Sequence, residues 1–297
     1  MFDIKPSGKA LGAHVRGLNL SRPLDDATVG EIAQALGRHG VLCFPDQDLS
    51  PEAHKAFAGR FGGLEVNVAG AYQVAGLPEV MTLSNIVCDG KPVGLADAGQ
   101  GWHTDMSYSA VISFANVLFA LKVPRAADGT PLGNTEFANL QAAYDDLPQD
   151  LKTRLAGATA EHDFNQFWEM MRRQPGCVRP PLTTEQRRRK PPVHHPVFLR
   201  HPVTGRQVLY CNPGYATRID GLKPAESDEI LEFLFAHQLQ EKYRYAHVWS
   251  EGDVLMWDNI GTIHNAVADY GPEQHRHMRR CQVMADKVFD RALPIAV

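Results

Sequence analysis

Val111-Ile112-Ser113-Phe114-Ala115-Asn116-Val117-Leu118-Phe119-Ala120-Leu121-Lys122-Val123 is the stretch on which the fold class turns. Its β-branched and aromatic residues suit a pleated, covered surface better than a surface helix, and Pro124 ends it. The stretch therefore predicts one strand or two. Outward from it the chain holds further short strand patterns. Val41-Leu42-Cys43-Phe44 precedes it, and Val197-Phe198-Leu199, Gln207 to Cys211, Val254 to Trp257 and Met278 to Ala285 follow. Turn signals lie between them, such as Asp128-Gly129 and Leu132-Gly133-Asn134.

Helical signals interleave with these strands. Val29, Ile32, Ala33 and Leu36 recur at i, i+3, i+4 and i+7, which predicts an amphipathic helix over 26–38. Ser50-Pro51-Glu52 is a helix start that should carry Ala53 and Phe57 inward and end near Phe61-Gly62-Gly63. Leu140 to Leu147 reads as a short helix. Ser227 is expected to cap another, with Ile230, Leu231, Leu234 and Phe235 on its apolar face. The sum is a mainly β protein with helices (α+β): a sandwich or barrel wrapped by helices, in a single domain over 1–297. Residues 162–193 are rich in charge, Pro and Gly yet contain Phe164, Phe167, Trp168, Met170 and Met171. They are read as an active-site lid, the alternative being a surface helix with a Pro-rich loop.

Composition narrows the function. The 297 residues are 44% hydrophobic and 22% charged, enough for one substantial core. A net charge of −4 and an isoelectric point near 6.3 argue against a nucleic-acid binder. Arg187-Arg188-Arg189-Lys190 is read as a solvated loop. No apolar run spans a bilayer and no signal peptide is evident, so no membrane role is expected. Cys43, Cys88, Cys177, Cys211 and Cys281 are scattered without a CxxC and read as reduced thiols of a cytoplasmic protein.

The chemistry centres on Trp102-His103-Thr104-Asp105. On an extended chain, side chains at i and i+2 point the same way, so His103 and Asp105 can grip one metal from one strand. Among 13 histidines, roughly one H-x-D arises by chance, so the pair needs context. His264 supplies it, following the apolar run that ends in Trp257-Asp258-Asn259. Two histidines and a carboxylate leave open positions on iron(II). Arg276 lies beyond His264, where a carboxylate-bearing cosubstrate would be anchored. In this order the residues point to an iron oxygenase that uses 2-oxoglutarate. A zinc hydrolase and a non-catalytic anion-binding jelly roll are the competing readings. His194-His195, His275 and His277 read as surface histidines. Arg276, Met278, Arg280 and Gln282 alternate with His277, Arg279, Cys281 and Val283. Period alone leaves open whether the arginines face inward, where they would need anionic partners, or face water.

The ordered motifs resemble the taurine dioxygenase / 2,4-dichlorophenoxyacetate dioxygenase family of Fe(II)- and 2-oxoglutarate-dependent oxygenases. They include Gly12-Ala13, Leu18-Asn19-Leu20, Val41 to Pro45, Arg60-Phe61-Gly62, Trp102 to Asp105 and Gly133-Asn134-Thr135. His201 to Arg206, Trp257 to Asn259 with His264, Ala268-Asp269-Tyr270 and Arg276 to Arg280 complete the set. The resemblance implies a double-stranded β-helix (jelly-roll) core decorated by helices. It implies Fe(II) on His103, Asp105 and His264, and the distal carboxylate of 2-oxoglutarate on Thr135 and Arg276, with O₂ as second cosubstrate. Arg280 matches the position that reaches an anionic substrate, and members are often dimers or tetramers. Taurine-specific members carry a histidine and an asparagine where this chain has Asn67 and Gly99, so a different small anion is expected. Asn67, Tyr72, Met106 and Tyr108 would shape its pocket, with Phe164 and Phe167 closing over it. Asp105 is the carboxylate that halogenating relatives lack, which favours hydroxylation.

Overall fold

A computed structural model describes residues 2–66, 72–173 and 180–289. In chain order the first half holds β1 (Asp3–Pro6), β2 (Ala13–Arg16), α1 (Asp26–His39), β3 (Val41–Phe44), α2 (Pro51–Ala58), β4 (Gln73–Val74) and β5 (Leu77–Ser84). A small hairpin, β6 (Val87–Cys88) and β7 (Lys91–Pro92), leads to β8 (Ser113–Lys122), β9 (Thr135–Asn139), α3 (Leu140–Asp145) and α4 (Gln149–Arg154). Then come β10 (Thr159–His162), α5 (Phe164–Arg172), α6 (Thr184–Arg189), β11 (Val193–Pro196), β12 (Phe198–Arg200), β13 (Gln207–Leu209) and β14 (Ala216–Ile219). The chain closes with α7 (Pro224–Gln238), β15 (Arg244–His247), β16 (Val254–Asp258), β17 (Thr262–Ala266), β18 (His277–Met284) and α8 (Asp286–Phe289).

The stretch around Phe114 to Ala120 forms one strand, β8, whose first eight residues are all buried. It sits inside an eight-stranded sheet of order β1-β2-β3-β16-β8-β18-β5-β4, antiparallel except where β2 meets β3. A second sheet has the order β15-β9-β17. The period of two sorts the side chains of the large sheet between two cores. Leu42, Phe44, Val117, Phe119, Val254, Met256, Cys281 and Val283 join the apolar faces of α1 and α2. Val41, Cys43, Leu118, Ala120, Leu255, Trp257 and Met278 turn the other way and meet Phe137 and Tyr245 of the small sheet. Both faces are covered, which is why these strands read as near-continuous apolar runs.

Local signals set the helix ends. The Asp25 carboxylate accepts from the Thr28 N–H at 2.7 Å and starts α1. Gly40, at φ +67°, closes it by donating to the Leu36 carbonyl. Ser50 caps α2 through the Ala53 N–H at 3.1 Å, but the helix stops at Ala58, short of the predicted Phe61-Gly62-Gly63. Ser227 is not a cap. α7 starts at Pro224, and the Ser227 hydroxyl accepts from the Ile219 N–H at 2.8 Å, pinning β14 to the helix. Among the described residues no helix is long and apolar enough to cross a membrane. Cys43, Cys211 and Cys281 are buried free thiols and Cys88 is exposed; Cys177 lies outside the described residues.

β18 answers the question of its two faces: neither meets water. Arg276 is buried, and the Arg280 side chain, 10% exposed, shares the Met278 face. Arg279 on the opposite face is buried as well, with its guanidinium on the Leu49 carbonyl and 5.1 Å from the centre of the Phe119 ring.

Candidate metal centre

His103 does not lie in a long strand. It makes an isolated antiparallel bridge to His264 of β17: the His103 N–H donates to the His264 carbonyl at 3.0 Å, and the reverse bond is 2.9 Å. After Thr104 the chain turns, and Met106 takes φ +60°. His103 and Asp105 therefore converge through a turn at a strand edge, rather than by the extended i, i+2 geometry expected from the spacing. Asn259, just past β16, holds that turn. Its Oδ1 accepts from the Asp105 N–H at 3.1 Å, while its Nδ2 donates to the Asp105 carbonyl at 2.8 Å and the Ser113 carbonyl at 3.2 Å. The approach to His103 is strapped to β17 too, through Gly101 N–H to Asn265 Oδ1 at 2.9 Å and Ala266 N–H to the Gly99 carbonyl at 2.8 Å.

The side chains follow the backbone. The ligand atoms of His103, Asp105 and His264 all lie within 4.8 Å of one another, and all three residues are buried. His103 Nε2 is 3.3 Å from Asp105 Oδ1, and His264 Nε2 is 3.8 Å from Asp105 Oδ2. Donor atoms roughly 3 Å apart are what neighbouring positions on an ion with 2.0–2.2 Å bonds require. His103 Nδ1 is 2.7 Å from the Gly101 carbonyl, which selects the tautomer carrying the proton on Nδ1 and frees Nε2 as a lone-pair donor. Burial disfavours ionisation of Asp105, but the Arg280 guanidinium, followed by His103 and His264, outweighs it and holds the carboxyl well below the usual carboxylate range. Burial, then the neighbouring His103, pushes His264 down to about 3, keeping it neutral. The ionised Asp105 and the neutral His264 are in the protonation states a metal needs.

Aromatic residues wall the centre. The Phe167 and Tyr215 ring centres lie 5.4 Å and 6.2 Å from that of His103, and Trp257 lies 5.0 Å from His264. Phe167 comes from α5, inside the segment read as a lid, and packs on Tyr215 at 4.7 Å. Phe164, from the same helix, sits 4.9 Å from Tyr108. The Tyr108 hydroxyl donates to Met106 Sδ at 3.3 Å, so these two expected pocket residues pack together beside Asp105. Tyr72, at φ +64°, gives its carbonyl to the Thr82 N–H of β5. Asn67 lies outside the described residues, as do residues 174–179 of the segment over 162–193. Gly214 makes room for His103: a Cβ there would fall 2.7 Å from the His103 Cβ.

Arg276 has a partner the sequence did not single out. Burial weakens its cationic form, the charge and hydrogen bond of Tyr270 counteract this, and among the described residues no carboxylate pairs with it. A buried guanidinium without a carboxylate favours an anionic ligand. Thr135 opens β9, and its hydroxyl accepts from Trp249 Nε1 at 3.0 Å. The Tyr270 ring also lies where a side chain on Gly133, two residues before Thr135, would fall. Arg280 Nη1 sits 3.5 Å from Asp105 Oδ2, and its Nη2 is 3.3 Å from Gln282 Oε1. Asn259 and Tyr270 stood in the quoted motifs without a role, whereas Trp249, Tyr215 and Gly214 carried no sequence signal. Their parts depend on contacts between distant segments.

Known proteins share this architecture. The family model described as "Taurine catabolism dioxygenase TauD, TfdA family" matches residues 3–282. The chain is 33% identical over 295 residues to pentalenolactone F synthase of Streptomyces avermitilis, covering 94% of this chain and 92% of that protein. It is 32% identical over 298 residues to the alpha-ketoglutarate-dependent 2,4-dichlorophenoxyacetate dioxygenase of Cupriavidus pinatubonensis, covering 95% and 98%. The crystal structure of AAD-2 in complex with Mn(II) and N-oxalylglycine superposes with a TM-score of 0.78 at 28% identity, covering 96% of this chain and 97% of that one.

Proposed function

From the premise that the chain belongs to the TauD, TfdA family, we infer that His103, Asp105 and His264 hold its iron(II), that Arg276 and Thr135 anchor 2-oxoglutarate, and that the substrate is a small organic anion. The chain is a 2-oxoglutarate-dependent non-haem iron dioxygenase. Iron(II) with 2-oxoglutarate and O₂ supplies the oxidising chemistry: 2-oxoglutarate becomes succinate and CO₂ while one oxygen atom enters a substrate C–H bond. Family membership removes the zinc-hydrolase and passive-module readings. The eight-stranded and three-stranded sheets, sharing the core around Phe137 and Trp257, are read as the two walls of a double-stranded β-helix.

Each residue's task follows from its surroundings. The Gly101 carbonyl orients the His103 ring, and the Asn259 amide fixes the Asp105 turn. The Arg276 guanidinium, hydrogen-bonded to Tyr270, offers a buried two-point cationic contact to a carboxylate. The Thr135 hydroxyl accepts from Trp249, so its own proton is free to point at the same carboxylate. Phe167, Tyr215 and Trp257 exclude water around the reacting C–H bond. Arg280 stands at the edge of the centre, where it neutralises Asp105 and meets an anionic substrate group. The relative acting on 2,4-dichlorophenoxyacetate and another named (S)-phenoxypropionate/alpha-ketoglutarate-dioxygenase, 32% identical, put aryloxyalkanoates first among the candidate anions. Sulfonates, sulfate esters, phosphonates and amino-acid derivatives follow. Scattered free thiols fit a reducing compartment.

The convergence of three buried donors from two distant segments carries this reading. It is tested by succinate formation from 2-oxoglutarate with Fe(II), ascorbate and O₂, across a panel of these anions. Stimulation by one class, lost in His264→Ala, is expected. Undiminished turnover in His264→Ala would remove that residue from the iron site. Zinc-dependent hydrolysis without O₂ uptake would overturn the whole assignment.

A further inference from the structure

A second cluster of ligand-type side chains lies outside the dioxygenase centre. Cys43 comes from β3, His247 ends β15, and Asp253 sits in the turn that enters β16. Their ligand atoms all fall within 4.8 Å of one another, and the residues are only 2%, 3% and 5% exposed. We propose that Cys43, His247 and Asp253, beside His14, form a second metal site that takes a zinc-like divalent transition ion.

The donor chemistry selects that class of ion. A thiolate, an imidazole and a carboxylate are the mixed set that zinc binds tetrahedrally, with bonds of 2.0–2.3 Å and ligand atoms roughly 3.3–3.8 Å apart. His247 Nε2 and Asp253 Oδ2 are 3.2 Å apart, close to that spacing. Hard cations such as magnesium would not choose sulfur. His14 stands beside the set. It lies on β2 in register with Cys43, within electrostatic reach of both His247 and Asp253. Its Nδ1 is buried, with no hydrogen-bond partner among the described residues.

Two further observations fit a binding site. The Ser250 N–H donates to Asp253 Oδ2 at 2.9 Å, the outer support a metal-bound carboxylate needs. A surface groove lined by Asp3, Lys5, Arg16 and Tyr245 opens at His14, on the solvent side of the cluster's neighbour. Without metal, the Cys43 thiol is neutral, because burial and the Asp253 carboxylate both oppose its ionisation, and it donates its hydrogen to Asp253. Binding therefore releases that thiol proton to solvent as the metal–sulfur bond forms, with no change of oxidation state. The ion would tie β2 and β3 of the large sheet to β15 of the small one. His247 is in register with Thr135, and its ring packs at 4.9 Å on Trp249, which donates to the Thr135 hydroxyl. The site would thus brace the wall of the 2-oxoglutarate pocket.

The test is cobalt(II) titration of the metal-free, full-length protein, followed by absorbance. The wild-type chain is expected to take two equivalents, one of which gives a thiolate-to-cobalt charge-transfer band. The His103–Asp105–His264 centre has no sulfur and cannot produce that band. The band should vanish in Cys43→Ser and in His247→Ala, leaving one band-free equivalent, and persist in His103→Ala. Zinc should raise the thermal midpoint of His103→Ala and leave that of the double variant His103→Ala, Cys43→Ser unchanged. Wild-type protein that binds cobalt with no thiolate band would overturn the proposal even if the variants failed to fold. Loss of only the band-free equivalent would count against the dioxygenase centre instead.

Discussion

His103 and His264 are bonded to each other twice through the backbone, N–H to carbonyl in both directions, at 3.0 and 2.9 Å. A single antiparallel pair thus brings together two imidazoles that lie far apart in sequence, with ring centres 4.3 Å apart. The donor spacing is set by main-chain geometry, so substitutions that disturb that pair, or the turn after it, should act on metal affinity before they act on anything else.

Asn259→Ala removes the amide that grips Asp105 from both sides and leaves the Ser113 carbonyl without that donor. We expect a loss of about 1–3 kcal/mol in stability, with Fe(II) affinity falling 10–100-fold. Urea unfolding and an iron titration measure the two. Unchanged affinity in a destabilised variant would limit Asn259 to a structural role.

Gly214→Ala introduces a Cβ that would lie 2.7 Å from the His103 Cβ. The histidine must move, at a cost of about 1–3 kcal/mol, and iron binding should weaken while affinity for 2-oxoglutarate changes less. Paired iron and 2-oxoglutarate titrations separate these effects. A wild-type iron affinity would show that the His103 strand yields without displacing its ring.

Arg276→Gln removes the buried cation at the cosubstrate end. The KM for 2-oxoglutarate should rise by more than tenfold, in keeping with about 2–5 kcal/mol for truncating a buried charge pair. Trp249→Phe takes only the donor from Thr135. It should raise the same KM by tenfold at most, since one hydrogen bond contributes about 0.5–1.5 kcal/mol. Initial rates of succinate formation against 2-oxoglutarate concentration decide, and a larger effect from Trp249→Phe would reverse the ranking.

His54 gives a pH signature away from the metal. It is fully buried on α2, with Nε2 3.1 Å from the Val117 carbonyl; burial and then Arg279 push it down to about 4 from 6.5. The unfolded chain binds this proton near pH 6.5 and the folded protein only near 4, so the unfolded state holds more protons between those values. Stability is therefore complete above the unfolded value and falls with pH through that window, by on the order of 3 kcal/mol from this group. Urea unfolding at pH 7 and pH 5 should show a shallower loss in His54→Gln than in the wild type. Equal losses would assign the acid sensitivity to other groups.

Legibility differed from residue to residue. Val111 to Val123 announced one strand or two, because a β-branched and aromatic run suits a pleated, covered surface better than a helix. Ser50 marked a helix start because capping is a contact between near neighbours. Ser227 misled for the same reason: its hydroxyl serves Ile219 on another element, which no local rule sees. His103, Asp105, His264 and Arg276 were legible as types in order, whereas the Asp105 turn was not, since it depends on Asn259 reaching over from β16.

By itself, the sequence determined the element types, the alternation that divides the large sheet between two cores, and the inventory of metal- and anion-binding groups. These follow from local propensity, periodicity and residue chemistry, all carried by neighbouring positions. Tertiary structure alone decided which faces of β18 are dry, which tautomer His103 takes, that Tyr270 meets Arg276, and that Cys43, His247 and Asp253 converge. Those outcomes depend on strand pairing and burial between segments far apart in the chain, where a side chain's partner, and so its charge state, is set by what the fold brings beside it.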